Sequence, residues 1–343
     1  MYVARVIAVE GSQPQEVIRG FLGGLLDSGL ADGVFIPATG EPFSGGRVAT
    51  TREAMLPYDP LSPVMLANAA RDLPQALGQR TGRLAVVLHP CETRTLIEMA
   101  KRGAIDRQRL LILGMDCGFA QAGPLPEDSQ ARDALSRQAL ACASAGLPAP
   151  AEARLACRLC ERPAADVESA DVLLGWIGLD PQEKLLVIAD EEVDRAFGLE
   201  KLTGRCATER EAVDREMALW RMADRRKKSA LELLEDLGLA DGHPAVAAGY
   251  LSRCTLCGEC LNACALASDD LRRAMQQGKT VFVQALLNEA QRLASCSGCG
   301  FCQVSCPEDI PLCAIAYAIG HQVQSRMHYT PGRSVEDPLP WVS

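Results

Sequence analysis

Short apolar runs separated by amphipathic stretches fill residues 1–190. Runs with the length and branched content of buried strands are Val3–Val9, Gly33–Pro37, Leu84–Leu88, Arg109–Leu113, Val172–Trp176 and Lys184–Ala189. Between them, apolar positions recur at helical spacing in Glu16–Ser28, Pro63–Leu77, Glu92–Arg102 and Glu127–Ser144. Strands alternating with helices at this interval predict an α/β domain on a mixed or parallel sheet with flanking helices, without fixing the strand order.

A longer helical pattern runs from Thr208 to Leu237. It opens on Thr208-Glu209-Arg210-Glu211, the spacing of a capping box, and stops at Gly238. Asp241-Gly242-His243-Pro244 is a turn-rich joint, and a cysteine-rich module of mainly helical pattern follows it. The expected division is 1–207 for the α/β domain and 208–245 for the long helix and joint. A two-cluster, ferredoxin-like domain takes 246–320, and 321–343 is an extended tail. Arg225-Arg226-Lys227-Lys228 reads as a solvated helix face.

The chain of 343 residues is too long for one ordinary core, and its net charge of −9 argues against nucleic acid as main partner. No window approaches the roughly 20 apolar residues of a membrane span. Met1–Val9 reads as a strand opening a domain, not as a secretory signal. Fifteen cysteines without such a signal point to metal ligation in a reducing, cytoplasmic compartment.

Eight of those cysteines form two runs, Cys254-x2-Cys257-x2-Cys260-x3-Cys264 and Cys296-x2-Cys299-x2-Cys302-x3-Cys306-Pro307. Cysteines at every third residue wrap three thiolates around one face of an iron–sulfur cube, and the fourth departs toward the neighbouring cube. By that rule one [4Fe–4S] cluster takes Cys254, Cys257, Cys260 and Cys306, and the other takes Cys296, Cys299, Cys302 and Cys264. Gly258, Gly298 and Gly300 suit the tight backbone this requires. Zinc held by four thiolates is the rival, but zinc needs neither four cysteines per run nor the following proline. The helical spacing of Asp269–Ala294 resembles the helical ferredoxin modules of heterodisulfide reductases and fumarate reductases.

Cys91 follows the Leu84–Leu88 run, Cys117 follows Arg109–Leu113, and Cys157-x2-Cys160 precedes Val172–Trp176. Strand ends are where α/β sheets place ligands, so a third cluster and ordinary buried cysteines stand as equal readings of spacing alone. Cys142, Cys206 and Cys313 fit no ligand spacing and read as small buried side chains.

With His89-Pro90-Cys91-Glu92, Cys157-x2-Cys160, Ala170-Asp171-Val172 and Gly175–Gly178, residues 10–240 resemble the coenzyme F420 hydrogenase and dehydrogenase beta-subunit family. Gly20-Phe21-Leu22-Gly23-Gly24 is similar to that family's glycine-rich first helix, although tight helix packing explains these glycines equally well. The resemblance implies FAD near a third [4Fe–4S] cluster ligated by Cys91, Cys117, Cys157 and Cys160. Gly20, Gly23, Gly24, His89 and Pro90 would lie at the flavin, though a structural role for His89 is as natural. Glu92 and Trp176 depart from the family's glutamine and aspartate.

The resemblance further implies an oxidoreductase subunit passing electrons between a hydride carrier, F420 or NAD(P)H, at FAD and a partner. The partner would be a formate dehydrogenase, a hydrogenase or a heterodisulfide-reductase-like complex. The alternative is a non-catalytic iron–sulfur adaptor that wires two enzymes together without a flavin.

Overall fold

A computed structural model describes residues 1–9, 11–37, 46–121 and 126–341. The strands are β1 (Tyr2–Ala8), β2 (Gly33–Pro37), β3 (Gly46–Ala49), β4 (Leu84–Leu88), β5 (Leu110–Met115), β6 (Val172–Gly175) and β7 (Lys184–Asp190). The helices α1 (Pro14–Asp27), α2 (Leu73–Gly78), α3 (Pro90–Lys101), α4 (Ser129–Ser144), α5 (Leu155–Arg158), α6 (Glu191–Phe197) and α7 (Glu209–Asp236) accompany them. Beyond these come α8 (Pro244–Leu251), α9 (Glu259–Ala263), α10 (Asp269–Gln276), α11 (Lys279–Asn288), α12 (Phe301–Val304) and α13 (Leu312–Met327).

The strands form one sheet in the order β1-β7-β6-β5-β4-β2-β3. β2, β4, β5 and β6 are parallel, while β1, β3 and β7 pair antiparallel with their neighbours. Strand periodicity of two sends alternate side chains to opposite faces. Ala85, Val87, Leu111 and Leu113 accordingly face α1 and α4, and Leu84, Val86, Leu88 and Ile112 face α2 and α3. The front domain is therefore a mixed sheet with helices on both faces.

Two local readings differ from the sequence pattern. β3 is an edge strand of Gly46-Arg47-Val48-Ala49, too short, and interrupted by an arginine, to register as an apolar run. Pro63–Leu77 is not one helix, because Pro74 falls inside it and cannot donate to a helical ladder. Extended chain gives way to a single tight turn at Ala69–Asp72, capped by the Asn68 side chain accepting from Ala70 N at 3.1 Å, and then to α2.

Helix α7 carries the expected capping box. Thr208 Oγ1 accepts from Glu211 N at 3.3 Å and Glu211 Oε2 accepts from Thr208 N at 2.8 Å. Thr208→Ala is expected to lower unfolding stability by about 1 kcal/mol, read as a smaller denaturant midpoint with unchanged iron content. The buried stripe of α7 serves two cores. Met222 joins the sheet core, whereas Ala230 and Leu234 pack with α5, α8 and α13. Asp241–Pro244 is thus a turn on a continuous body, pinned where Gln322 Nε2 donates to Asp241 O at 2.8 Å.

The last helix, α13, reaches Met327, so the tail starts later than 321. It also folds back over the front domain. Glu98, fully buried on α3, accepts from Tyr329 Oη at 2.6 Å and Gly332 N at 2.8 Å. The Ser295 hydroxyl and the Lys101 ammonium complete its partners. Gly332 takes φ +67° against α3, where an added Cβ would lie 2.3 Å from Arg94 Cα. The guanidinium groups of Arg102 and Arg292 lie 5.3 and 5.6 Å from the Trp341 ring centre. Residues 342 and 343 of the expected tail lie outside the described residues. Among the described residues no helix is long and apolar enough to cross a membrane.

Candidate iron–sulfur centres

Parallel pairing of β4 with β5 brings their carboxyl ends side by side. Cys91 stands there in the first turn of α3, and Cys117 follows Met115 and Asp116. Between β5 and β6 the chain delivers Cys157 and Cys160. Arg154 N donates to Ala120 O at 2.9 Å, Ala120 N donates to Cys157 Sγ at 3.2 Å, and Cys117 N donates to Pro163 O at 2.8 Å. Burial pushes the Cys117 thiol well up, and Cys157 and Cys160 lie near enough to push further. Cys91 is raised in the same way, by burial and the Glu92 carboxylate, with Cys299 and Cys117 adding to it. The fold thus gathers Cys91, Cys117, Cys157 and Cys160.

The two late runs intertwine. Burial lifts Cys260 to about 11, and the thiols that add to it are Cys254, Cys257 and Cys306. Cys296 is lifted to about 12, again by burial first, with Cys299 and Cys264 contributing. Cys302 rises well above its ordinary value through burial, then Cys296, Cys299, Cys313 and Cys264. Each run therefore keeps three cysteines together and sends its fourth to the other group. Gly258, Gly298 and Gly300 adopt φ of +83°, +74° and +72°, a region that costs a side chain strain and glycine little.

All eight of these cysteines line a cavity of about 1050 Å³ that is walled by apolar side chains such as Met275, Phe282 and Ile310. Among the described residues no three His, Cys, Asp or Glu side chains close on a point as one metal ion needs. A zinc ion draws four thiolates to about 2.3 Å. Thiols ringed around a void instead suit a bulky cationic iron–sulfur core that takes them as thiolates. The donor set and the space fit [4Fe–4S] clusters.

The residues suggested for a flavin have other engagements. An added Cβ at Gly23 would meet Arg52 Nη1 at 2.7 Å, and one at Gly24 would meet Leu202 Cδ2 at 2.7 Å. These two glycines thus face filled packing, and Gly20 has open space beside it. His89 is the N-cap of α3, with Pro90 next, and Glu92 is the reciprocal capping residue. Glu92 Oε2 accepts from His89 N at 3.0 Å, and its Oε1 accepts from Ala69 N at 2.9 Å. The cavities beside His89 measure about 10 and 20 Å³, because Tyr58, Leu61, Ser62 and Val64 are buried in that crevice. Among the described residues it has no room for an isoalloxazine ring.

Of the three cysteines outside the ligand pattern, Cys142 and Cys313 are buried but Cys206 is exposed. Sequence reasoning also overlooked three buried arginines at the front cysteines, Arg94, Arg154 and Arg226. Arg226 sits in the run read as solvated. Its signal was the four-residue interval Met222, Arg226, Ala230, Leu234, which marks the inward face of α7.

No curated protein matches the chain. Among solved structures, one chain of the F420-reducing [NiFe] hydrogenase complex from Methanosarcina barkeri is similar at 12% identity and a TM-score of 0.45. That alignment spans 69% of this chain and 91% of the other, and at this level it carries no functional argument. Residues 250–310, which contain both cysteine runs, match the family described as the 4Fe-4S dicluster domain. The C-terminal region is a 4Fe-4S dicluster domain.

Proposed function

We propose that the chain is an electron-relay subunit of a redox complex, built to hold three [4Fe–4S] clusters in a row. Cys91, Cys117, Cys157 and Cys160 hold the inner one, Cys264, Cys296, Cys299 and Cys302 the middle one, and Cys254, Cys257, Cys260 and Cys306 the outer one. The observation that carries this reading is the contact between the inner and middle groups. Cys299 is among the thiols acting on Cys91, Arg154 Nη2 donates to Cys299 O at 2.9 Å, and Thr95 Oγ1 donates to Ser297 Oγ at 2.7 Å. Such clusters pass one electron at a time.

The cysteines of the inner and middle groups are half-buried, while Cys257 is exposed and makes the outer group the surface terminus. A partner of the formate dehydrogenase, hydrogenase or heterodisulfide-reductase type would meet the relay there. The flavin-bearing version needs a ring-sized pocket beside His89, where Tyr58, Leu61, Ser62 and Val64 are buried instead. Geometry therefore favours the adaptor, which takes electrons singly from one enzyme and hands them to another, over direct reaction with F420 or NAD(P)H.

Anaerobically purified full-length protein is expected to hold about twelve irons and matching sulfide, with no flavin absorbance. About eight irons would remove the inner group from the reading. Stoichiometric FAD would restore the flavin-bearing version.

A further inference from the structure

The structure assigns Arg94, Arg154 and Arg226 as a cationic cage that holds the inner cluster's charge and raises its reduction potential; this rests on the relay reading above. The three come from separate elements, α3, the loop entering α5, and α7, and are 6%, 5% and 2% exposed. Arg94 donates to Ser297 O and Arg162 O, each at 3.2 Å. Arg226 donates to Gly118 O at 2.5 Å and Cys160 O at 3.5 Å. Arg154 donates to Cys299 O, stacks 4.1 Å from the Phe301 ring centre and has Met65 Sδ at 3.9 Å. The Nε atoms of Arg154 and Arg226 have no partner among the described residues.

Among the described residues, none of the three reaches a carboxylate at ion-pair distance. Arg215, the buried arginine next along α7, behaves differently and is paired with Asp116 at 2.6 Å. A buried guanidinium satisfied only by carbonyls and sulfur lacks a counter-charge, a costly arrangement unless an anion lies close. Four thiolates around an iron–sulfur core carry net negative charge, and each of these arginines borders residues that present those thiolates. Arg94 is one turn from Cys91, Arg154 is one turn before Cys157, and Arg226 holds the carbonyl of Cys160. The charge supplied by the cage favours the reduced, more negative state. It also explains why three positive charges converge on a dry interior. Arg154, bonded to Cys299 O, extends the same effect to the middle group.

The test is a redox titration of the full-length anaerobic protein followed by electron paramagnetic resonance, with iron counted for every sample. In Arg154→Gln and Arg226→Gln the inner midpoint is expected to fall. At a fixed potential this cuts the reduced-to-oxidised ratio about tenfold, or about 59 mV for one electron. The outer midpoint stays put, and Arg154→Lys regains most of the shift. Loss of the inner irons from Arg154→Gln with retention in Arg154→Lys also supports the charge role. An unmoved midpoint at full iron, or equal behaviour of the Gln and Lys variants, overturns it. Failure of the relay reading itself shows separately, as wild-type protein lacking the inner irons before any variant is made.

Discussion

Cys306→Ser is expected to remove the outer cluster, whose other three cysteines lie in the first run, and to leave the cluster of its own run loaded. In sequence Cys306 closes the second run, yet in the fold it stands with Cys254, Cys257 and Cys260. α12 carries the chain past the middle group and on toward α9. Iron analysis should therefore fall by about four atoms, and the lost paramagnetic signal should be the one that Cys257→Ser also abolishes. Cys264→Ser is the mirror experiment, removing the signal that depends on Cys296 and Cys299. If Cys306→Ser instead extinguishes the signal shared with Cys302, each run serves its own cube and the crossing is wrong.

Asp116→Ala should produce the largest loss of folding stability, about 3–5 kcal/mol, because it strands a buried guanidinium. Asp116 Oδ2 accepts from Trp176 N and Ile177 N at 2.8 Å each and from Arg215 Nη1 at 2.6 Å, while Oδ1 accepts from Arg215 Nη2 at 2.8 Å. One carboxylate thus ties together the ends of β5 and β6 and the first half of α7. Removing it leaves both backbone amides and the charge of Arg215 unanswered in a dry interior. Thermal unfolding under anaerobic conditions reads the loss directly. Changing both residues, as Asp116→Ala with Arg215→Met, should recover part of it, since no charge is then stranded. A single variant as stable as the parent would show that Arg215 finds another partner or water.

Much of the sheet could be read from the chain because each central strand is a short apolar block bounded by turn residues. Gly33–Pro37 and Leu84–Leu88 have the limits the pattern predicts. The dicluster spacing is equally legible, since its chemistry is local. What escaped depends on distant segments meeting. Arg226 looks solvated among neighbouring charges and becomes interior only because α7 lies across both the sheet and the cluster helices. Gly23 and Gly24 carry no local mark of whether a cofactor or a side chain will approach them; Arg52 and Leu202 do. His89-Pro90 looked like a ligand-facing turn because helix caps and cofactor cradles use the same residue types. The return of the tail onto Glu98 had no signal in the tail itself, which offers only turn residues and isolated aromatics.

That return staples the front domain to distant parts of the chain. Besides Lys101 on the same helix, Glu98 is answered by Ser295, Tyr329 and Gly332, which lie 197, 231 and 234 residues further along the chain. Without those segments α3, which carries Cys91, buries this carboxylate with only Lys101 to answer it. Docking of the tail and burial of the helix that bears Cys91 are thereby one coupled event.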